Sequence, residues 1–136
     1  MKVIIPESFN VGARNYSDAG LSNGKCLKMR PVSVVIPAGD GAGTYKVCDG
    51  MATSKCKEIA DALGIQYKSS WFTDRIAQEV LTSVLGDKYV KPKRGAYGIT
   101  HNIAIFDDFV LMHEYENDGC GDPDSIKKGC YVYKKA

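Results

Sequence analysis

The sequence predicts an α+β fold in which two helices pack on one face of a mainly antiparallel sheet. Two stretches with helical periodicity lie in the middle of the chain, and runs of β-branched and alternating residues lie before and after them. Helices grouped between runs of strands favour this arrangement over a doubly wound parallel sheet, which is the alternative. With 136 residues, the chain has the length of one domain, which we expect to span residues 1–136.

The first third of the chain is predicted to form strands separated by a long loop. A short apolar run at Val3–Ile5 predicts a strand that ends at Pro6. Residues 7–30 contain few apolar residues, and we interpret them as one long loop, mobile or functional. Residues 31–48 predict a β-hairpin, because two β-branched runs flank the glycine-rich segment 38–43.

Two helices are predicted from the spacing of apolar residues. The first has its apolar residues at helical spacing, and the second runs from about Asp74 to Leu85. We expect Thr53 or Ser54 to cap the first helix and Thr73 the second. Each helix should end at a glycine, and the aromatic segment between them, 65–72, is interpreted as a strand. The apolar face of the first helix consists of Cys56, Ile59, Ala60 and Leu63.

The last third predicts a hairpin and a final strand. Alternating residues on either side of Asp107-Asp108 predict two strands joined by a two-residue turn. The segment 130–133 is expected to be an edge strand, since the lysines that follow it discourage further pairing. One buried core is expected from the predicted elements. Its members are Cys56, Ile59, Leu63, Ile76, Val80, Val84, Ile103, Ile105, Phe109 and Leu111.

Composition and charge narrow the function classes. The chain has 18 basic and 16 acidic residues, a net charge of +2, which argues against a histone-like DNA-binding protein but not against a local basic patch. No apolar run is long enough to cross a membrane, and the apolar stretch at the N-terminus is too short for a signal peptide. We therefore expect a cytoplasmic protein. Its five cysteines are expected to be mostly thiols.

The segment 88–97 is the candidate ligand-binding site. It concentrates cations between two tyrosines, and Pro92 and Gly95 favour a loop. Cations can neutralise phosphates while aromatic rings stack on bases. We therefore expect a non-enzymatic binding protein for an anionic partner, a nucleic acid or a phosphorylated small molecule, with Arg14 or Arg30 contributing. The expected binding residues are Lys88, Tyr89, Lys91, Lys93, Arg94 and Tyr97.

Two other functions remain open. A protein–protein inhibitor or adaptor would use a surface formed by Tyr115, Tyr131 and Tyr133 together with the C-terminal edge strand, through which the chain would also self-associate. A metal-dependent hydrolase would use His101 and His113, which we place on one face of the hairpin, with neighbouring carboxylates. The spacing matches no known metal motif, and no residue is assigned a catalytic or cofactor-binding role. The sequence thus leans away from an enzyme.

Overall fold

The computed structural model describes residues 1–17, 28–48, 50–93, 95–118 and 126–136. Within them the helices are α1 (Ala52–Ala62) and α2 (Thr73–Leu85), and a 3₁₀ turn (Gly86–Lys88) follows α2. The strands are β1 (Val3–Ile4), β2 (Asn10–Val11), β3 (Arg14–Ser17), β4 (Lys28–Pro31), β5 (Ser33–Ile36), β6 (Gly43–Val47), β7 (Tyr97–Phe106), β8 (Phe109–Asp118) and β9 (Lys127–Lys135).

A seven-stranded antiparallel sheet forms the centre of the fold. Its strand order is β1-β7-β8-β9-β6-β5-β2, and β3 and β4 form a separate two-stranded sheet. Both helices pack on the same face, mainly against β7, β8 and β9. The predicted α+β class, with a mainly antiparallel sheet and two helices on one face, is confirmed.

The sheet curls into a half-barrel because its two edge strands are neighbours in the sequence. In a flat sheet, seven strands at about 4.8 Å spacing would separate β1 from β2 by roughly 29 Å. The chain from Ile4 to Asn10 reaches at most about 21 Å. Curling brings the edges close enough for this short connection. The ion pair between Lys2 and Asp40, 3.4 Å from Nζ to Oδ2, links β1 to the β5–β6 turn.

Each face of the curled sheet carries its own apolar core. The outer face packs against the helices, and the inner face is filled by residues of the strands. The helix-side core contains Cys56, Ile59, Ala60, Ile76, Ala77, Val80, Leu81, Leu85, Ala104, Phe106, Leu111 and Val132. The inner core contains Val34, Ile36, Tyr45, Ile103, Ile105, Val110, Met112, Tyr131 and Tyr133. The single predicted core is therefore wrong.

The β7–β8 register explains this division. The predicted turn at Asp107-Asp108 is confirmed, and it places Phe106 opposite Phe109. Directly opposite residues share a face of an antiparallel sheet. Ile105 therefore shares the inner face with its partner Val110, while Phe109 lies on the helix side. Alternation along one strand shows which of its own side chains share a face of the sheet. The length of the turn decides which side chains of the next strand lie on that same face.

Both helices have the predicted apolar faces, but the predicted caps are wrong. Met51 and Phe72 occupy the N-cap positions, and neither makes a side-chain capping hydrogen bond. The hydroxyls of Thr53 and Thr73 instead form a hydrogen bond with each other at 2.7 Å. Each helix is followed by a glycine, as expected, and both glycines have positive φ, 72° at Gly64 and 54° at Gly86.

Three other expectations are corrected by the pairing. The segment 65–72 contains no strand, and 7–30 includes β2, β3 and β4 rather than one loop. The strand expected at the edge, 130–133, belongs to β9, which lies between β8 and β6. Because β9 is central, the side chains of Tyr131 and Tyr133 are buried, as is that of Tyr115. These three tyrosines therefore do not form the exposed surface that the sequence predicted.

The strands β3 and β4 form a two-stranded arm beside the main sheet. The arm continues the β2–β5 ladder, and Gly12 N donates to Ser33 O where the two sheets join. Several side-chain contacts attach it to the inner face, among them that of Arg30 with the ring of Tyr131. Arg14 on β3 binds Glu114 on β8, and the hydroxyl of Tyr133 donates to Pro31 O at 2.9 Å.

Candidate functional site

A cavity of about 360 Å³ lies between the starts of both helices, strand β9 and the β3–β4 arm. It exists because β6 pairs with β9 only from Tyr133 to Lys135. In the part of β9 nearer Lys128, β6 no longer pairs with β9. The cavity lies along this part of the strand. Its lining comprises Arg30, Gly50, Ala52, Thr53, Phe72, Thr73, Asp74, Lys128, Gly129, Cys130 and Tyr131.

The N-termini of α1 and α2 both border this cavity. The first backbone N–H groups of a helix have no partner within the helix, and the helix dipole places partial positive charge there. In α1 the helical bonds begin with Lys55 N donating to Met51 O, after Ala52 and Thr53. The hydroxyl contact between Thr53 and Thr73 holds the two helix starts together. The starts of two helices thus border one space.

Two cationic side chains add to this positive potential. Arg30 on β4 is 4% exposed and lies over the ring of Tyr131, with Cζ 5.9 Å from the ring centroid. Burial lowers the pKa of its guanidinium from the ordinary value. Lys128 on β9 is exposed at the opposite wall. The cavity therefore has one buried and one exposed cation.

Asp74 and Phe72 also line the cavity, and they differ in character from the cationic side chains. Asp74 lies in the first turn of α2, where its carboxylate opposes part of the helix field. Phe72 lines the cavity with its side chain 83% exposed, so an aromatic ring is available at the rim.

Cys130 is the nucleophilic side chain in the cavity wall. Its partner across the sheet is His113 on β8, and directly opposite residues share a face. On the helix side, Sγ of Cys130 lies 3.5 Å from Sγ of Cys56 in α1. Cys48, Cys56 and Cys130 are not joined in disulfides.

A network of hydroxyls and one imidazole lies beside this wall. The hydroxyl of Tyr89 is 3.3 Å from Nδ1 of His113 and 2.8 Å from the hydroxyl of Tyr115. The His113 ring packs edge-on to Tyr115, with centroids 4.6 Å apart. Burial is the main cause that raises the pKa of Tyr89 above its ordinary value, so this hydroxyl stays protonated.

On the opposite face of the sheet, Glu114 is the centre of a buried ionic cluster. Arg14 donates to both carboxylate oxygens, and Nε2 of His101 lies 2.9 Å from Oε1. The hydroxyl of Tyr131 donates to Oε2 at 3.3 Å. Burial alone would raise the pKa of Glu114, but the hydrogen bonds and charges of His101 and Arg14 lower it to about 2. The cluster attaches the arm to the sheet.

Two asparagines, Asn102 on β7 and Asn117 on β8, hold the backbone of the segment 88–97 at Val90 and Lys93. Asn102 accepts from Val90 N and donates to Val90 O, each at 2.8 Å, and Asn117 donates to Lys93 O at 3.1 Å. Lys88, Lys91 and Lys93 are exposed, whereas Tyr89 is partly buried in the network above. Tyr97 is 88% exposed, and Arg94 lies outside the described residues.

The structure assigns different places to the other candidate residues. Arg30 lines the cavity, while Arg14 belongs to the Glu114 cluster. His101 and His113 lie on opposite faces of the hairpin, so the expectation that they share a face is wrong. In the described ranges, no three His, Cys, Asp or Glu side chains lie close enough to hold a metal ion.

Sequence reasoning did not identify the cavity, or Lys128 and Cys130 as parts of it. The one available signal was the pair of threonines near the predicted helix starts, which we interpreted as caps.

Comparison with known proteins identifies no relative, since no family model, curated protein or solved structure matches the chain. No helix in the described part of the chain has the length and apolar character needed to cross a membrane.

Proposed function

We propose that the protein binds a small phosphorylated molecule in the cavity between the two helix starts and β9. The observation that carries this proposal is the convergence of both helix N-termini, Arg30 and Lys128 on one space. Backbone N–H groups at a helix start bind phosphate well, because they combine free donors with a favourable dipole. Two helix starts and two cations give the cavity a positive potential, which favours an anionic ligand over a neutral one.

The arrangement also suggests how the ligand is oriented. Its phosphate would face the N–H groups near Thr53 and Thr73, with Lys128 neutralising charge from the open side. A hydroxyl of the ligand would donate to Asp74, and a planar group would stack on the exposed ring of Phe72. A nucleoside monophosphate has all three features, and we choose it as the first probe.

A small ligand is favoured over a nucleic acid by the shape of the site. The cavity volume of about 360 Å³ lies within the range of roughly 300 to 1,000 Å³ that is typical of small-molecule sites. A nucleic acid would need an extended cationic surface. The exposed Lys91 and Lys93 of the segment 88–97 are the described residues that support that second possibility.

Isothermal titration calorimetry with adenosine monophosphate, ribose phosphate, inorganic phosphate and adenosine tests the proposal. We expect the phosphorylated compounds to bind and adenosine to bind much more weakly. Lys128→Ala should weaken binding, because it removes a cation from the cavity wall. The matched control is Lys127→Ala, which removes the same charge from the neighbouring exposed residue, outside the cavity lining.

The same titrations distinguish the two candidate surfaces. A double change of Lys91 and Lys93 to alanine should leave small-ligand binding intact if the cavity is the site. Loss of binding in this variant, with Lys128→Ala unaffected, would contradict the proposal and assign binding to the segment 88–97. Equal binding of adenosine and its monophosphate would also contradict it, because the proposed site holds the ligand by its phosphate.

A further inference from the structure

Two thiols from distant parts of the sequence lie next to each other on the helix side of the sheet, at the wall of the cavity. Cys56 lies on the buried face of α1, Cys130 lies on the helix side of β9, and their sulfur atoms are 3.5 Å apart. A disulfide bond has a length of about 2.05 Å, so an approach of about 1.5 Å is needed for bonding.

The two thiols differ in their access to solvent. Cys130 is partly exposed and lines the cavity, whereas Cys56 is fully buried in the helix-side core. A small oxidant entering the cavity therefore meets Cys130 first. Cys56 lies directly behind it, where it can reach the sulfur of Cys130 but not the solvent.

Cys130 shares the cavity wall with cationic side chains and helix starts. The thiolate is the nucleophile in thiol oxidation, and nearby cations and helix N-termini stabilise it. The cavity supplies Arg30, Lys128 and the starts of both helices. His113 lies directly opposite Cys130 on β8, on the same face of the sheet.

We propose that Cys130 and Cys56 form a redox-active pair that hydrogen peroxide oxidises to a disulfide. The Cys130 thiolate attacks one peroxide oxygen, so that an S–O bond forms, the O–O bond breaks and hydroxide leaves as water. The sulfur of Cys56 then attacks the sulfenic acid of Cys130. The S–S bond forms, the S–O bond breaks and a second water leaves. Two thiols and one peroxide thus give one disulfide and two waters, and an external dithiol then reduces the disulfide to the two thiols and is itself oxidised to a disulfide.

Oxidation would also change the cavity, because the bond would pull β9 and the start of α1 together. The pair is independent of the proposed ligand, since it requires only peroxide and the two sulfur atoms. Failure of one proposal therefore leaves the other intact. A phosphorylated ligand, if bound, should slow the reaction of Cys130 by covering the cavity.

The experiment is peroxide treatment of the full chain, followed by alkylation and mass spectrometry of non-reduced peptides. We expect a peptide pair linking Cys56 to Cys130, which disappears after treatment with a dithiol. In Cys56→Ser, Cys130 should stop at the sulfenic acid, which a dimedone probe traps. In Cys130→Ser, peroxide should leave Cys56 as a thiol. Cys48→Ser serves as the control and should form the linked peptide at the normal rate.

Three results would overturn the proposal. The first is that both thiols remain alkylatable after peroxide treatment of the folded protein. The second is a peptide pair that links Cys130 to Cys26 or Cys120 in place of Cys56. The third is faster oxidation of Cys56 in Cys130→Ser than of Cys130 in Cys56→Ser, which would reverse the assigned order of attack. Circular dichroism of each variant verifies that the fold is retained.

Discussion

The guanidinium of Arg14 binds both carboxylate oxygens of Glu114, at 2.6 and 2.9 Å. The two residues lie 100 positions apart, one on the arm and one in the middle of the sheet. Glu114 is 3% exposed, so its charge has little contact with water and depends on its partners. This bidentate geometry makes the ion pair stronger than a single contact, because both hydrogen bonds are charge-assisted. It fixes the arm that forms one wall of the cavity.

Glu114→Gln should lower the free energy of unfolding at neutral pH by an amount on the order of 3 kcal/mol. The pKa of Glu114 is about 2 in the folded protein, against an ordinary value of about 4.3 in an unfolded chain. A carboxyl with a lowered folded pKa stabilises the fold above its unfolded pKa, and this stability is lost as the pH falls towards the folded value. Urea unfolding at a series of pH values measures it.

The same measurement has an internal control. The parent protein should lose stability between about pH 5 and pH 2, and the Gln variant should show a flatter dependence in that window. Glu116→Gln, on the same strand but at an exposed position, should behave like the parent. If the Gln variant keeps the full pH dependence, another carboxyl is responsible and the assignment to Glu114 is wrong.

Gly41→Ala should destabilise the protein more than Gly39→Ala. Both glycines have positive φ, 80° and 88°, and an alanine in this conformation costs about 1 to 2 kcal/mol. A Cβ at Gly41 would also lie 2.7 Å from Cδ1 of Ile105, whereas at Gly39 it would meet open space. Thermal unfolding of the two variants separates the effect of the contact from that of the backbone. Equal losses would show that the β5–β6 turn moves freely away from the inner core.

Leu81→Ala should lower the free energy of unfolding by about 2 to 5 kcal/mol, the usual range for a buried leucine. Leu81 on α2 is fully buried in the helix-side core. Leu63, just after α1, is only partly buried against the same core. Leu63→Ala should therefore have the smaller effect, because fewer contacts are lost and solvent fills part of the space. Chemical denaturation of both variants in parallel tests this order, and a larger effect at Leu63 would contradict the packing described.

Local patterns predicted most of the individual elements. Helical spacing at Cys56, Ile59 and Ala60 identified the buried face of α1, and the same reasoning identified that of α2. The two-residue turn at Asp107-Asp108 was identified from the alternation on either side of it. These features depend on residues a few positions apart, where the geometry of a helix or strand alone decides which side chains share a face.

The site was beyond such reasoning, because its parts come from four separate regions of the chain. Arg30, Thr53, Thr73 and Lys128 have no common spacing that would indicate a shared cavity. The aromatic and cationic segment 88–97 attracted attention because its residues are consecutive, and its role in binding stays a prediction. In the structure, the hydroxyl of Tyr89 contacts the side chains of His113 and Tyr115.

The sequence by itself determined the helices, most of the strands and the side chains that each presents on one face. Only the tertiary structure decided that the sheet curls, that β9 lies inside it, and that each sheet face has its own core. The physical reason is that periodicity is a property of neighbouring residues, whereas strand order and curvature follow from pairing across the whole chain. The short connection between β1 and β2 closes the half-barrel, and the early end of the β6–β9 pairing opens the cavity.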